Sequence, residues 1–196
     1  MMPVNSINPS LEQFAKDVEK HQMKVLADSG VSRSLLFAQP GNGNQYFYIT
    51  TWPHHLCISG DMGTFVFSRL TDMFEFFRGD KEPNLGYWSE KLEAGTAEKY
   101  CEDTARAEIL RQANGAGLEP EDLEYAKLRI DQMELDSEFG FYNEVMNWSE
   151  HELGFSIDTD GIGYCKEYTY HFIWCCRAII WAIQQYDVLK AKDSAL

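Results

Sequence analysis

The chain has 196 residues, 44% of them hydrophobic and 14% aromatic, which is enough apolar material for one substantial core and excludes an acidic disordered tail. Its 31 acids outnumber 17 bases for a formal charge of −14, and the excess is local: residues 71–160 hold 23 acids against 8 bases, while the remainder holds 8 against 9. A local field of that size repels phosphate, which argues against direct nucleic-acid binding, and attracts cationic protein surfaces.

Met1 to Ser10 has no basic stretch followed by an apolar one, so no secretory leader is expected. Ser10 is placed to cap a helix running to about Asp28, with Leu11, Phe14, Val18, Val25 and Leu26 as its apolar stripe and Gly30 as its stop. From Arg33 the texture becomes β. Leu35 to Gln39, the turn Pro40-Gly41-Asn42-Gly43-Asn44 and the alternating Gln45 to Trp52 predict one hairpin. Leu56 to Ser59 and Thr64 to Ser68, around Gly60-Asp61-Met62-Gly63, predict a second. After Thr71, a candidate cap, the pattern turns helical with Met73, Phe74 and Phe77 inward. Thr96 introduces Ala97, Cys101, Ala105 and Ile109 at four-residue steps, and Asn114-Gly115-Ala116-Gly117 ends that helix. The next starts near Pro120, with Leu123, Ala126, Ile130 and Met133 along one side. Glu124, Asp131 and Glu138 recur at seven-residue steps, about 10 Å apart on one face if the helix runs so far. Phe139 to Trp148 either extends it or forms another short helix, and Phe155 to Tyr164 reads as a loop or small hairpin. Tyr168 to about Leu189 is apolar on nearly every side, as an enclosed helix is; His171, Arg177 and a short apolar run argue against a membrane span. The fold class is therefore α+β, an antiparallel four-stranded sheet over about residues 33–69 packed against an N-terminal helix and a C-terminal helical region. One domain is expected over 1–196, with helix plus β-meander in 1–70 and an acidic helical portion with a buried C-terminal helix in 71–196.

The chemistry-bearing residues are few. His54, His55, Cys57 and Asp61 come nearest to a catalytic or metal cluster, but neighbouring strand residues face opposite ways and the spacing fits no zinc or nucleophile motif. Ser156, Asp158, Asp160, Gly161 and Glu167 follow a calcium-loop register in part, with Ser156 in place of the first acidic ligand and Gly163 where an aliphatic residue belongs. His151, between Glu150 and Glu152, lacks a second histidine four residues away. Five cysteines without a CxxC pair suit reduced thiols, and Cys175-Cys176 reads as buried and unreactive. Arg177 beside them needs a carboxylate, a carbonyl or water. Phosphate-loop, GxSxG and dinucleotide motifs are missing. No catalytic residue, metal or cofactor is assigned.

The stretch Trp52-Pro53-His54-His55-Leu56-Cys57-Ile58-Ser59-Gly60-Asp61-Met62-Gly63-Thr64-Phe65-Val66-Phe67, followed by Asp72-Met73-Phe74-Glu75-Phe76-Phe77, resembles a group of uncharacterised phage and prophage proteins. So does Tyr170-His171-Phe172-Ile173-Trp174-Cys175 with Trp181 and Gln185-Tyr186-Asp187. The resemblance implies a phage setting in the host cell cytoplasm and no particular activity. Joined to the anionic segment, it predicts a stoichiometric inhibitor of a basic host defence or nucleic-acid-handling protein, an anti-CRISPR-like nucleic-acid mimic. Glu121, Glu124, Asp131, Glu134 and Glu138 are its candidate partner-binding residues. Two alternatives stay open: a small enzyme or metal-dependent module around His54, His55, Cys57 and Asp61, and a self-assembling phage accessory protein whose aromatic C-terminal helix makes a homodimer.

Overall fold

The computed structural model describes residues 9–79, 81–148, 154–158 and 165–193. Two compact units emerge, one formed by Met1–Ala97 with Tyr168–Leu196 and the other by Glu98–Glu167.

The first unit opens with α1 (Leu11–Val18), whose N-cap Ser10 accepts a hydrogen bond from the Gln13 N–H at 3.0 Å. Six strands follow as a meander: β1 (Gln22–Ser29), β2 (Ser32–Ala38), β3 (Phe47–Trp52), β4 (His55–Gly60), β5 (Gly63–Ser68) and, after α2 (Met73–Phe77) and α3 (Leu85–Ser89), β6 (Leu92–Ala94). Neighbours in this order pair antiparallel throughout. The two predicted hairpins are β2–β3 and β4–β5, and their period-two pattern buries Leu35, Phe37, Phe47, Ile49, Leu56, Ile58, Phe65 and Phe67 on one face.

The sheet has six strands where four were expected. The extra strand at one edge is β1, which takes residues assigned above to the N-terminal helix. That helix stops at Val18 because Val25 and Leu26 have no core to reach; they remain 38% and 46% exposed. Their backbone instead satisfies the open edge of β2. Gly30 is thus a hairpin residue and not a helix stop, with the positive φ of 59° that a tight turn asks of its first central position. At the other edge β6 adds three residues, too short to carry a pattern.

The buried face is covered by α1, α2, α3 and the long α7 (Tyr170–Asp193). Phe172, Trp174, Cys176, Ala178, Ile179 and Ala182 of α7 are completely enclosed, as the all-round apolar sequence predicts. The Trp174 indole N–H donates to Asp17 on α1 at 3.0 Å. Asp72, not Thr71, caps α2: its Oδ1 accepts from the Phe74 N–H at 3.0 Å while both its oxygens accept from the buried Arg33 guanidinium at 2.8 Å. Arg33 also lies over the Phe74 ring, 4.5 Å from its centroid. Burial alone would raise the Asp72 carboxyl, and the hydrogen bonds from Arg33 and Phe74 outweigh it, holding the group below the ordinary carboxylate range. Where the chain leaves and re-enters this unit, the Thr169 N–H donates to the Ala97 carbonyl at 2.8 Å. No helix among the described residues is long and apolar enough to cross a membrane.

The second unit holds a two-stranded ribbon, β7 (Glu98–Tyr100) with β8 (Lys166–Tyr168, its last residue already counted with the first unit), and three helices, α4 (Glu102–Gly115), α5 (Pro120–Asp131) and α6 (Glu138–Met146). Residues 98–100, read above as helical, are strand because they pair with β8. Ala105, Ile109, Ala113, Ala126, Ile130, Met133, Leu135, Phe141, Val145, Phe155 and Ile157 form its core. Arg106 of α4 donates to the Ile130 carbonyl and, at 3.1 Å, to the Met133 carbonyl just beyond α5, so a cation sits at the C-terminal end of that helix, where its dipole favours one.

Candidate functional site

The excess of acids belongs to the second unit. Its 70 residues carry 18 acids against 6 bases, a balance of −12, and the first unit carries the remaining 13 against 11. Between Arg129 and Lys166 the sequence holds nine acids and neither Lys nor Arg.

Local pairing neutralises part of this charge. Glu102 pairs with Arg106 at 2.9 Å, Glu108 with Arg111 at 2.6 Å, Glu124 with Lys127 at 2.9 Å and Glu167 with Lys99 at 3.3 Å. The Glu108 carboxyl is held down to about 2, first by the Arg111 hydrogen bond and then by Gln112. Gln112 in turn brackets Asp158, accepting from its N–H at 2.8 Å and donating to its carbonyl at 3.2 Å. Beneath these helices the Tyr100 hydroxyl donates to the Leu135 carbonyl at 3.0 Å, and burial pushes its pKa up to about 12.

The five acids singled out by sequence have different situations. The row Glu124, Asp131 and Glu138 is broken: α5 ends at Asp131, the chain bends through Gln132 to Ser137, and Glu138 opens the separate helix α6. Glu124 and Asp131 alone keep the seven-residue relation, about 10 Å along one helix face. Glu124 is engaged by Lys127. Glu121 and Glu138 lie in the first turns of α5 and α6, where a negative charge is stabilised by the helix dipole whatever else it does. Asp131 is the reverse case, a carboxylate at the end of α5 where the dipole disfavours it. Asp131 and Glu134 are exposed, and among the described residues neither joins an ion pair. Asp136, exposed in the same bend, accepts from the Ser137 hydroxyl at 3.2 Å and was not singled out from sequence because the bend itself was not foreseen.

The alternative cluster does not assemble. His54 and His55 lie at the start of β4 and Asp61 just beyond its end, about 20 Å away at the rise of a strand. His54 is exposed in the Pro53-His54 turn with a positive φ of 71°. His55 stacks on Trp52 with 5.0 Å between ring centroids and sits 3.4 Å from Glu93. Asp61 accepts from the Gln45 N–H at 2.8 Å, and burial raises the Cys57 thiol. Among the described residues no group of three metal-ligating side chains comes together. In the calcium-loop register, Asp160, Gly161 and Gly163 lie outside the described residues, as do Glu150, His151 and Glu152. Glu167, the last position of that register, is on β8 and paired with Lys99. Arg177 donates to the Pro9 carbonyl and is 3.9 Å from Glu82, the carbonyl-and-carboxylate company its burial requires. The aromatic residues Phe172 and Trp174 of the C-terminal helix pack inside the first unit.

No protein-family model, curated protein or solved structure matches the chain.

Proposed function

We propose that the Glu98–Glu167 unit is a protein-binding module that presents an anionic surface to a cationic, nucleic-acid-handling protein and competes there with nucleic acid. The supporting observation is that −12 of the formal charge of −14 falls on this unit, with Asp131 and Glu134 exposed and in no ion pair among the described residues. Attraction between such a surface and a Lys/Arg-rich one accelerates encounter and weakens as salt rises. Stoichiometric occupancy needs no catalytic group. The narrower form of the proposal, following the sequence resemblance, is a phage-type, anti-CRISPR-like inhibitor of a host defence protein in the host cytoplasm. Affinity capture from host extract at about 50 mM and about 500 mM salt, followed by displacement of a labelled DNA or RNA duplex from each captured protein, tests it. Capture that weakens with salt and with Asp131→Asn/Glu134→Gln, together with duplex displacement, supports the proposal. Salt-independent capture without displacement contradicts it.

A further inference from the structure

Helix α6 is apolar on two sides. Phe141 and Val145 enter the core of their unit, while Phe139, Tyr142 and Met146 remain 75%, 50% and 81% exposed. At 100° per residue the last three fall within about 60° of one another, a stripe at i, i+3 and i+7. A helix that packed only within its own unit would carry polar residues at those positions. Phe, Tyr and Met are also the residue types enriched at the centres of protein interfaces. The charges beside the stripe are negative: Glu138 borders it on the helix and Glu134 and Asp136 lie in the bend just before, in the span that contains neither Lys nor Arg, while the other border is the neutral Asn143.

We infer that the Phe139/Tyr142/Met146 face of α6 is the apolar anchor of an interface with a protein whose complementary apolar strip is rimmed by Lys and Arg. Charge complementarity selects that occupant. Two copies of this chain meeting stripe to stripe would bring two acidic rims together, and an anionic membrane surface would be repelled in the same way. The inference rests on the proposed binding of a cationic protein and adds a contribution that salt does not screen. Carboxylates set the rate of encounter, and the buried stripe sets the lifetime of the complex.

Fluorescence anisotropy with the full chain and two synthetic helical peptides of about 18 residues and equal positive charge separates the two contributions. One peptide carries Lys on one face and Leu on the other; its control carries Ala in place of Leu. The Leu peptide is expected to bind at least about tenfold more tightly. F139S/M146S, which alters only exposed side chains, should reduce it to the level of the control without changing the control, and Tyr142→Ser alone should do so in part. D131N/E134Q should weaken both peptides. Equal affinity of the two peptides, or a preference that survives F139S/M146S, overturns the apolar anchor and leaves the acidic-surface proposal standing. If neither peptide binds, both fall. A doubling of mass in light scattering that F139S/M146S abolishes would make a second copy the occupant and overturn the inference.

Discussion

Replacing Asp72 with Ala removes, in one step, the partner of a buried cation and the cap of a helix. Arg33 is 9% exposed, both Asp72 oxygens accept from its guanidinium at 2.8 Å, and its Nε has no partner among the described residues. Stranding a buried charge costs about 3–5 kcal/mol; because water reaches the Asp72 side of the pair, the lower figure applies. The lost acceptor for the Phe74 N–H adds about 1 kcal/mol. The sum, about 4 kcal/mol, is a large share of the roughly 5–15 kcal/mol that holds a typical domain together. Asp72→Asn keeps an oxygen at the cap and should cost about 2–3 kcal/mol. Urea unfolding followed by tryptophan fluorescence measures this, in a Trp148→Phe background so that the signal comes from the first unit, where Trp88 and Trp174 are buried. Because the Asp72 carboxyl lies below its unfolded value, its contribution is complete above about pH 4 and is lost as pH falls through the folded value; Asp72→Asn should lack that slope. A cost for Asp72→Ala under about 1 kcal/mol, or additivity with Arg33→Ala in a double-mutant cycle, would refute the reasoning.

Gly60→Ala should destabilise the first unit by about 2–3 kcal/mol in the same assay, since the new Cβ would run into the Tyr46 carbonyl oxygen and lie 2.8 Å from the Phe47 Cα, both backbone atoms at the start of the neighbouring strand; a loss under about 0.5 kcal/mol contradicts that geometry. Cys175 and Cys176, whose thiols burial pushes up, should stay unlabelled by a disulfide reagent at about pH 8 until denaturant is added, and peptide mapping that finds either labelled in the native chain counts against the packing of α7. Glu108→Gln should flatten the acid dependence of the second unit: the wild-type carboxyl titrates at about 2, so its stabilisation is present above the ordinary glutamate range and disappears as pH falls from about 4 towards about 2. Far-ultraviolet circular dichroism across that range checks it, and identical acid transitions in variant and wild type would show that the Glu108–Arg111–Gln112 cluster contributes nothing.

Strands β2 to β5 were legible because short runs of β-branched, aromatic and apolar residues are bounded by turn residues; which face is buried, that of Leu35, Phe37, Ile49, Leu56, Ile58, Phe65 and Phe67, was decided by packing, since Leu36 and Val66 on the other face are apolar too. Strand β1 was not, since it is exposed on both faces along almost its whole length and has no alternation to read; Val25 and Leu26 are adjacent apolar residues that a helical period absorbs equally well. In the acidic segment, Glu102–Arg106, Glu108–Arg111 and Glu124–Lys127 stand three or four residues apart, so their pairing follows from helix geometry. The bend at Gln132 to Ser137, which breaks the Glu124, Asp131 and Glu138 row, carries no Gly or Pro.

Charge and local period are properties that residues carry with them, and from these the amino-acid sequence determined the excess of acids, the two central hairpins and the all-round apolar C-terminal helix. Three matters waited for the tertiary structure: the pairing of β1 at the sheet edge, the gathering of residues 98–167 into a compact unit of their own, and the choice of which side of α6 is buried. Each depends on what arrives through space to satisfy a backbone edge or cover an apolar face. Phe139 and Phe141 are the same residue type two positions apart, and only the core formed with Ile109, Ala126 and Ile130 makes one interior and leaves the other exposed.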